Sequence, residues 1–231
     1  MLVSTGWLGM NDAWVGLGLC YLAFGRRMPL VIAACVVCPF IDERFVFGLP
    51  LALVVRNLES LRTGSSRALL HLAGQCLLAI APFAAIRLVG IVGGRGAATD
   101  QVFLWTCLRE SGAYLWMAPL GGWMAFRFAY LPVMRRTAEL FVSDRLVACF
   151  LMSAALIPVT VGFLLASDTM RTAGILLPLC AWAAIESGKG GERSQLKWLA
   201  IASLVFTAAH VTHTKVLPIN SLPVELWRVL R

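Results

Sequence analysis

Leu146-Val-Ala-Cys-Phe-Leu-Met-Ser-Ala-Ala-Leu-Ile-Pro-Val-Thr-Val-Gly-Phe-Leu-Leu-Ala166 is a long run without a single charge. After it come Asp168-Thr-Met-Arg171 and a second apolar run, Thr172–Ile185. About 20 apolar residues, each rising 1.5 Å along a helix, cross a hydrocarbon core of roughly 30 Å. The first run therefore predicts a transmembrane helix, and Thr172 begins the return. The rest of the chain repeats this pattern of apolar runs with charges at the turns.

Composition agrees. Of 231 residues, 59% are hydrophobic and 14% charged, and the mean hydropathy is +0.80. Soluble domains are about 45–50% apolar and about 25% charged. Side chains here must face lipid or other helices, and no sizeable soluble domain fits beside the spans. The net charge of +8 could suggest nucleic acid. Its Lys and Arg are scattered singly and in pairs between apolar runs, however, with no basic stripe and no nucleic-acid motif. Membrane lipid is the expected partner, and nucleic acid is not.

Working outward from Leu146–Ala166, the apolar runs predict an all-α polytopic membrane protein of about eight transmembrane helices. They are Trp7–Phe24, Pro29–Ile41, Phe45–Val55, Ala68–Val92, Ala113–Leu131, Leu146–Ala166, Thr172–Ile185 and Leu196–Val211. Gln101–Ser111 reads as an amphipathic helix near the surface, and Gly93-Gly-Arg-Gly as a flexible turn. Residues 1–215 form one transmembrane domain, and 216–231 an interfacial C-terminal tail. The start Met1-Leu-Val-Ser-Thr5 lacks a basic segment, so the first run is expected to be retained as a span.

Lys and Arg are enriched in cytoplasmic loops. Alternating crossings put Arg26, Arg27, Arg56, Arg62, Arg67, Arg135, Arg136, Arg145, Lys189, Arg193 and Lys197 on one side. The opposite loops hold Arg44, Arg87, Arg95, Arg171 and Lys215. Both termini then lie outside, and the expected location is the inner membrane of a bacterium.

This orientation uses no acidic residue, yet it gathers acids on the outer face: Asp12, Asp42, Glu43, Asp100 and Asp168, with Arg44 and Arg171 among them. Ionisable groups near spans usually face a bundle interior or an aqueous cavity, so a shared outer site is the functional expectation. Helix capping is the competing account of each aspartate, because Asp is favoured at helix N-termini. Arg171 resists that account, since a cation in a first turn opposes the helix dipole. His210 and His213 would share a helix face, but no third metal ligand is fixed. Neither a metal nor a cofactor is expected.

The seven cysteines (20, 35, 38, 76, 107, 149 and 180) lie in or beside apolar runs. Cys35-x-x-Cys38 has no neighbouring charge to activate a thiol, so packing is its expected role. Walker loops, zinc-protease motifs and serine or cysteine nucleophile patterns are absent.

Acids at the outer ends of early helices resemble the integral membrane C-type, polyprenyl-phosphate-dependent glycosyltransferases. Asp168-x-x-Arg171 followed by Leu-Leu-Pro also resembles uncharacterised bacterial multispan proteins. The first resemblance implies that Asp42 or Glu43 acts as catalytic base. It also implies that Arg171 or Arg44 holds a lipid-linked phosphate, that Asp168 orients Arg171, and that Asp12 lines the substrate site. Two other functions use the same residues. In a small-solute or ion transporter, Asp12, Asp168 and Arg171 line a path beside helices broken at Pro82 and Pro119-Leu-Gly-Gly122. In a non-catalytic membrane subunit, the charges only cap helices and bind partners.

Overall fold

The apolar runs become helices whose ends are set by prolines and charged corners. A computed structural model describes residues 7–92, 118–165, 172–206, 208–211, 216–219, 224 and 227–228. In chain order the helices are α1 (Trp7–Phe24), α2 (Met28–Ile41), α3 (Arg44–Arg56), the short α4 (Leu58–Arg62) and α5 (Ser66–Val92). They continue with α6 (Ala118–Phe126), α7 (Tyr130–Ser143), α8 (Arg145–Leu165), α9 (Leu177–Lys189) and α10 (Arg193–Val205). Single 3-10 turns, Arg127–Ala129 and Gly174–Leu176, lead into α7 and α9. Pro29 and Pro178 sit in the first turns of α2 and α9, where a missing N–H costs nothing. Asp144 ends α7 by donating its N–H to Leu140 O (2.7 Å) and opens α8 by accepting from Val147 N–H at Oδ1 (3.2 Å).

All long elements are α-helices, as expected. Two of them, over Ser66–Val89 and Arg145–Gly162, are long and apolar enough to cross a membrane. At 1.5 Å per residue they measure roughly 36 and 27 Å. Pro82 lies inside a continuous α5, so the break expected there for a transport path is not present.

Helix α3 is at the centre. Phe45, Leu49, Leu51 and Ala52 are essentially inaccessible, and Gly48 and Leu53–Val55 are buried as well. It packs against α1, α2, α5, α8, α9 and the Gly174–Leu176 turn. A helix apolar all round belongs in an interior, which explains why a run as short as Phe45–Val55 carries no polar stripe. The close approaches use glycine. A Cβ on Gly48 would lie 2.6 Å from Leu19 Cδ1 and 3.2 Å from Ile175 Cβ.

Polar clamps hold the ends. Arg56 Nη1 donates to Leu22 O (2.9 Å) and Gly25 O (3.0 Å), satisfying carbonyls at the end of α1 that a helix terminus leaves without partners. Asn57 Nδ2 donates to Gln75 Oε1 on α5 at 2.7 Å. Beside the turn between α9 and α10, Arg135 and Arg136 each bridge Glu139 on α7 and Glu192 in the turn, at 2.6–3.0 Å. Arg136 Nε also donates to Ser187 Oγ at 3.1 Å.

Three expectations need correction. The span Ala113–Leu131 is interrupted: Arg127 has φ 45°, a left-handed conformation costing roughly 1–3 kcal/mol. Its guanidinium donates from Nη1 to Phe206 O at 2.7 Å, so the break satisfies a carbonyl at the end of α10. Helix then resumes and runs past Arg135-Arg136 to Ser143. The span Leu196–Val211 also ends early, at Val205. Ala208–Val211 is strand β1, paired antiparallel with β2, Val216–Ile219. The first residues of the expected tail are thus joined to the body. His210 sits in strand β1 and not in the expected helix, and His213 lies outside the described residues. Gln101–Ser111 and Gly93–Gly96 lie outside the described residues.

Large apolar side chains are exposed as well as buried. Leu70, Leu77, Leu78 and Val89 on α5 are each more than 70% exposed, and Val142 on α7 is 89% exposed.

Gly48→Ala is expected to lower stability by about 1–3 kcal/mol through overpacking, read as the thermal unfolding midpoint in detergent. Gly74, whose added Cβ meets nothing within 4 Å, is the control. Gly74→Ala should be neutral or slightly stabilising, and equal losses in both would refute the close approach. The Arg136 hydrogen bond, with further help from Arg135, holds the Glu139 carboxyl below its usual range. A lowered folded-state value gives a stabilisation that is complete above about pH 4.5 and is lost as pH falls through the folded value. Wild type should therefore exceed Glu139→Gln in stability near neutrality, with the gap closing in acid. A gap independent of pH would show that Glu139 is not held as a charged partner.

Candidate functional site

The corner between α2 and α3 carries Asp42, Glu43 and Arg44. Asp42 N–H donates to Cys38 O at 3.1 Å and closes α2, and its own carbonyl then accepts from Phe45 N–H at 3.0 Å. Between these bonds the Asp42 backbone is extended, which ends one helix before the next begins. Its carboxylate accepts twice at Oδ1, from Arg44 N–H (3.0 Å) and Arg44 Nε (2.8 Å), and Oδ2 pairs with Arg44 Nη2. Both side chains are 16% exposed. Capping and ion pairing are combined in this one residue. A cation in the first turn of α3 opposes the helix dipole, and Asp42 offsets it.

Glu43 reaches the other way and pairs with Arg87 of α5, both more than half exposed. Arg87 lies over the Phe83 ring, 5.3 Å from its centroid, and Phe83 packs on Phe40 at 5.6 Å. Aromatic and ionic contacts thus fasten the far end of α5 to the corner. Arg87 was placed on the outer side by the charge count, but nothing within α5 reveals its partner on another helix. Glu43 is the more accessible carboxylate of the two, whereas Asp42 is bound across both oxygens.

Of the other predicted site residues, Asp12 falls within α1. Cys38 Sγ donates to Trp14 O at 3.8 Å, so the end of α2 lies beside the first half of α1, where Asp12 falls. Asp168 and Arg171 lie outside the described residues. The elements flanking them are described: Thr172 is buried and lies against Gly162 near the end of α8. Three residues on, Ile175 meets Gly48, one helical turn past Arg44. The chain on both sides of the Asp168–Arg171 connection therefore approaches the end of α3 that carries Asp42. Thr172, a buried hydroxyl at this junction, was not singled out by its sequence context, since Thr at a helix start is ordinary.

Among the described residues no group of His, Cys, Asp or Glu could hold a metal ion. Cys35 and Cys38 are free and buried in α2. An added Cβ on Gly18 would meet Cys38 Sγ at 2.5 Å, so this cysteine fills a helix contact.

The two roles of Asp42 can be separated. Asp42→Asn retains an acceptor for the Arg44 N–H and loses the ion pair, whereas Asp42→Ala loses both. The expected order of thermal stability is wild type, then Asn, then Ala, with about 1 kcal/mol between the last two. Equal losses in Asn and Ala would remove the capping role.

No family model, no curated protein and no solved structure matches this chain, so the geometry of the α2–α3 corner is the ground for a functional reading.

Proposed function

We propose that this is a polytopic protein of a bacterial inner membrane that acts at its outer face on a lipid-linked phosphate or sugar, in the manner of a glycosyltransferase. The observation that carries the reading is the pairing of Asp42 with Arg44 and of Glu43 with Arg87 at one end of a bundle with apolar exposed sides. Large exposed apolar surfaces mark membrane or partner contacts, and ionisable groups near spans gather at functional cavities. In this reading α5 and α8 cross fully, and the shorter helices complete about eight crossings, with the bilayer thinned around them.

In the proposed reaction the acceptor hydroxyl oxygen bonds to the anomeric carbon of the donor sugar. The bond from that carbon to the phosphate oxygen breaks, and the lipid phosphate leaves. Glu43, the accessible carboxylate, takes the hydroxyl proton, and Asp42 fixes Arg44. Arg44 and Arg171 hold the phosphate through charge-assisted hydrogen bonds, Asp168 orients Arg171, and Asp12 borders the acceptor.

The test is transfer from a polyprenyl-phosphate-linked sugar in membrane vesicles. Loss of a general base typically lowers rate about 10²–10⁴-fold, so Glu43→Gln is expected to lose at least about a hundredfold. Asp42→Asn and Arg171→Ala should also abolish transfer, with membrane insertion intact in all three. Full activity in Glu43→Gln and Arg171→Ala would end the proposal.

A further inference from the structure

Helix α7 carries apolar residues on two faces. Val133 and Leu140 are buried, where α7 packs on α8 and α9. Leu131, Met134, Ala138, Phe141 and Val142 recur at three- and four-residue spacing and form a second, exposed stripe, as the helical period requires. The charges on the flank between them are used internally. Arg135 and Arg136 pair with Glu139 and with Glu192 in the α9–α10 turn. What α7 turns away from the protein is an apolar stripe.

The same contacts fix how α7 lies. Arg136, in its middle, meets Ser187 near the end of α9 at 3.1 Å, and Asp144 alone joins its last residue to the first residue of α8. The charge count puts both of those helix ends, with Arg145 and Lys189, on one side of the bundle. Helix α7 thus runs along that end and not through the bundle. A crossing would carry Arg135, Arg136 and Glu139 into hydrocarbon, at high cost.

Two observations say what covers the stripe. Val142 and Leu146, 89% and 59% exposed, stand on either side of Arg145, and Leu146 begins the apolar part of the span-length helix α8. The stripe therefore continues along the chain into a surface that faces lipid. Arg145 lies over the Phe141 ring, 5.2 Å from its centroid, as a cation does when its stem covers apolar surface and its head stays wet. The second observation is on α10, which leaves the same turn. Its exposed face runs from Arg193 and Lys197 to Trp198 and then to Ile201 and Val205. Basic, then aromatic, then aliphatic is the order in which a helix enters a bilayer from its basic side, so the boundary passes at the level of this turn.

We infer that α7 is an interfacial helix, its stripe seated among the first acyl carbons of the cytoplasmic leaflet and Arg145 at the level of the phosphates. Such helices bury their apolar face roughly 5–10 Å into the boundary between headgroups and chains. The inference rests on the membrane part of the proposed function and is independent of the outer acid/arginine site.

The test reads depth. A fluorescent non-canonical amino acid replaces Met134, Val142 or Leu78, all strongly exposed, Leu78 lying midway along the candidate span Ser66–Val89. The full chain is reconstituted in phosphatidylcholine vesicles whose acyl chains carry a doxyl quencher either near the headgroup or near the chain end. At Met134 and Val142 the shallow quencher should be several-fold the more effective, and equally so at both, whereas at Leu78 the deep quencher should win. A deep preference at either α7 position, or a change in depth matching the roughly 12 Å of helix rise between them, would make α7 a crossing segment and overturn the inference. Quenching at Leu78 with none at Met134 and Val142 would assign the stripe to water or to a protein surface, a second copy included, and overturn the inference while leaving the membrane reading intact. Absence of quenching at all three would overturn both.

Discussion

Helix α3 is shorter than a bilayer core is thick, yet α1, α2, α5, α8 and α9 all pack on it. In an ordinary soluble core, polarity separates inside from outside. Here the outside is apolar too, so that contrast cannot organise the bundle. Small residues at the helix contacts do it instead. Ala52, Ala148, Ala155 and Ala183 are buried, and glycines at 18, 48 and 162 stand where a neighbouring side chain comes within bonding-contact range of an added Cβ. Small residues let helices approach closely where lipid supplies no hydrophobic drive between them. The bulky side chains Leu70, Leu77 and Leu78 face outward on α5. Phe45, Leu49 and Leu51 are buried as well, so the small residues serve to admit large ones at close approaches, as where Gly48 of α3 meets Leu19 and Ile175.

Close packing of apolar surfaces fixes distance but not register. Register comes from polar groups at the ends. Arg56 gives its Nη1 to two carbonyls at the end of α1, and Asn57 reaches Gln75 on α5. At the other end Asp42 closes α2, caps α3 and pairs with Arg44, while Glu43 fastens α5 through Arg87. A one-residue slide of α3 would strand groups at both ends at once. Unsatisfied polar groups in apolar surroundings are costly, so these few clamps specify an arrangement that hydrophobicity alone leaves open.

The elements legible in the sequence were those with local punctuation. Trp7–Phe24 coincides with α1. The runs Pro29–Ile41, Phe45–Val55 and Leu146–Ala166 match α2, α3 and α8 to within a residue at each end, because Pro29, Asp42, Arg56 and Asp144 mark the boundaries. The features not legible were those settled by distant residues. Arg127 adopts a left-handed backbone whose compensation is the Phe206 carbonyl, 79 positions away. Ala208–Val211 carries no period that separates strand from helix, and its state is decided by pairing with Val216–Ile219. The pair Glu43–Arg87 joins two helices, so the charge pattern gave the side of the bundle and not the partner. At the candidate site, Asp42, Glu43 and Arg44 were visible as a charged interruption. Their division of labour was not, because it depends on which carboxylate Arg44 folds back to meet.

That division bears on how such a corner could act. A carboxylate spanned by a guanidinium is a stable unit with its charge already answered, and it keeps Arg44 in a fixed direction. Glu43 and Arg87 form a looser pair, each more than half exposed, and exposed pairs are typically worth less than about 1 kcal/mol. Under the proposed function, a phosphate held by Arg44 and Arg171 would also attract Arg87 at small cost and leave Glu43 as a carboxylate without its partner. Loss of a neighbouring cation makes a carboxylate a stronger proton acceptor. Binding of a phosphate and creation of a base would then be one event, coupled through Arg87, while the Asp42–Arg44 unit holds the geometry in which it occurs.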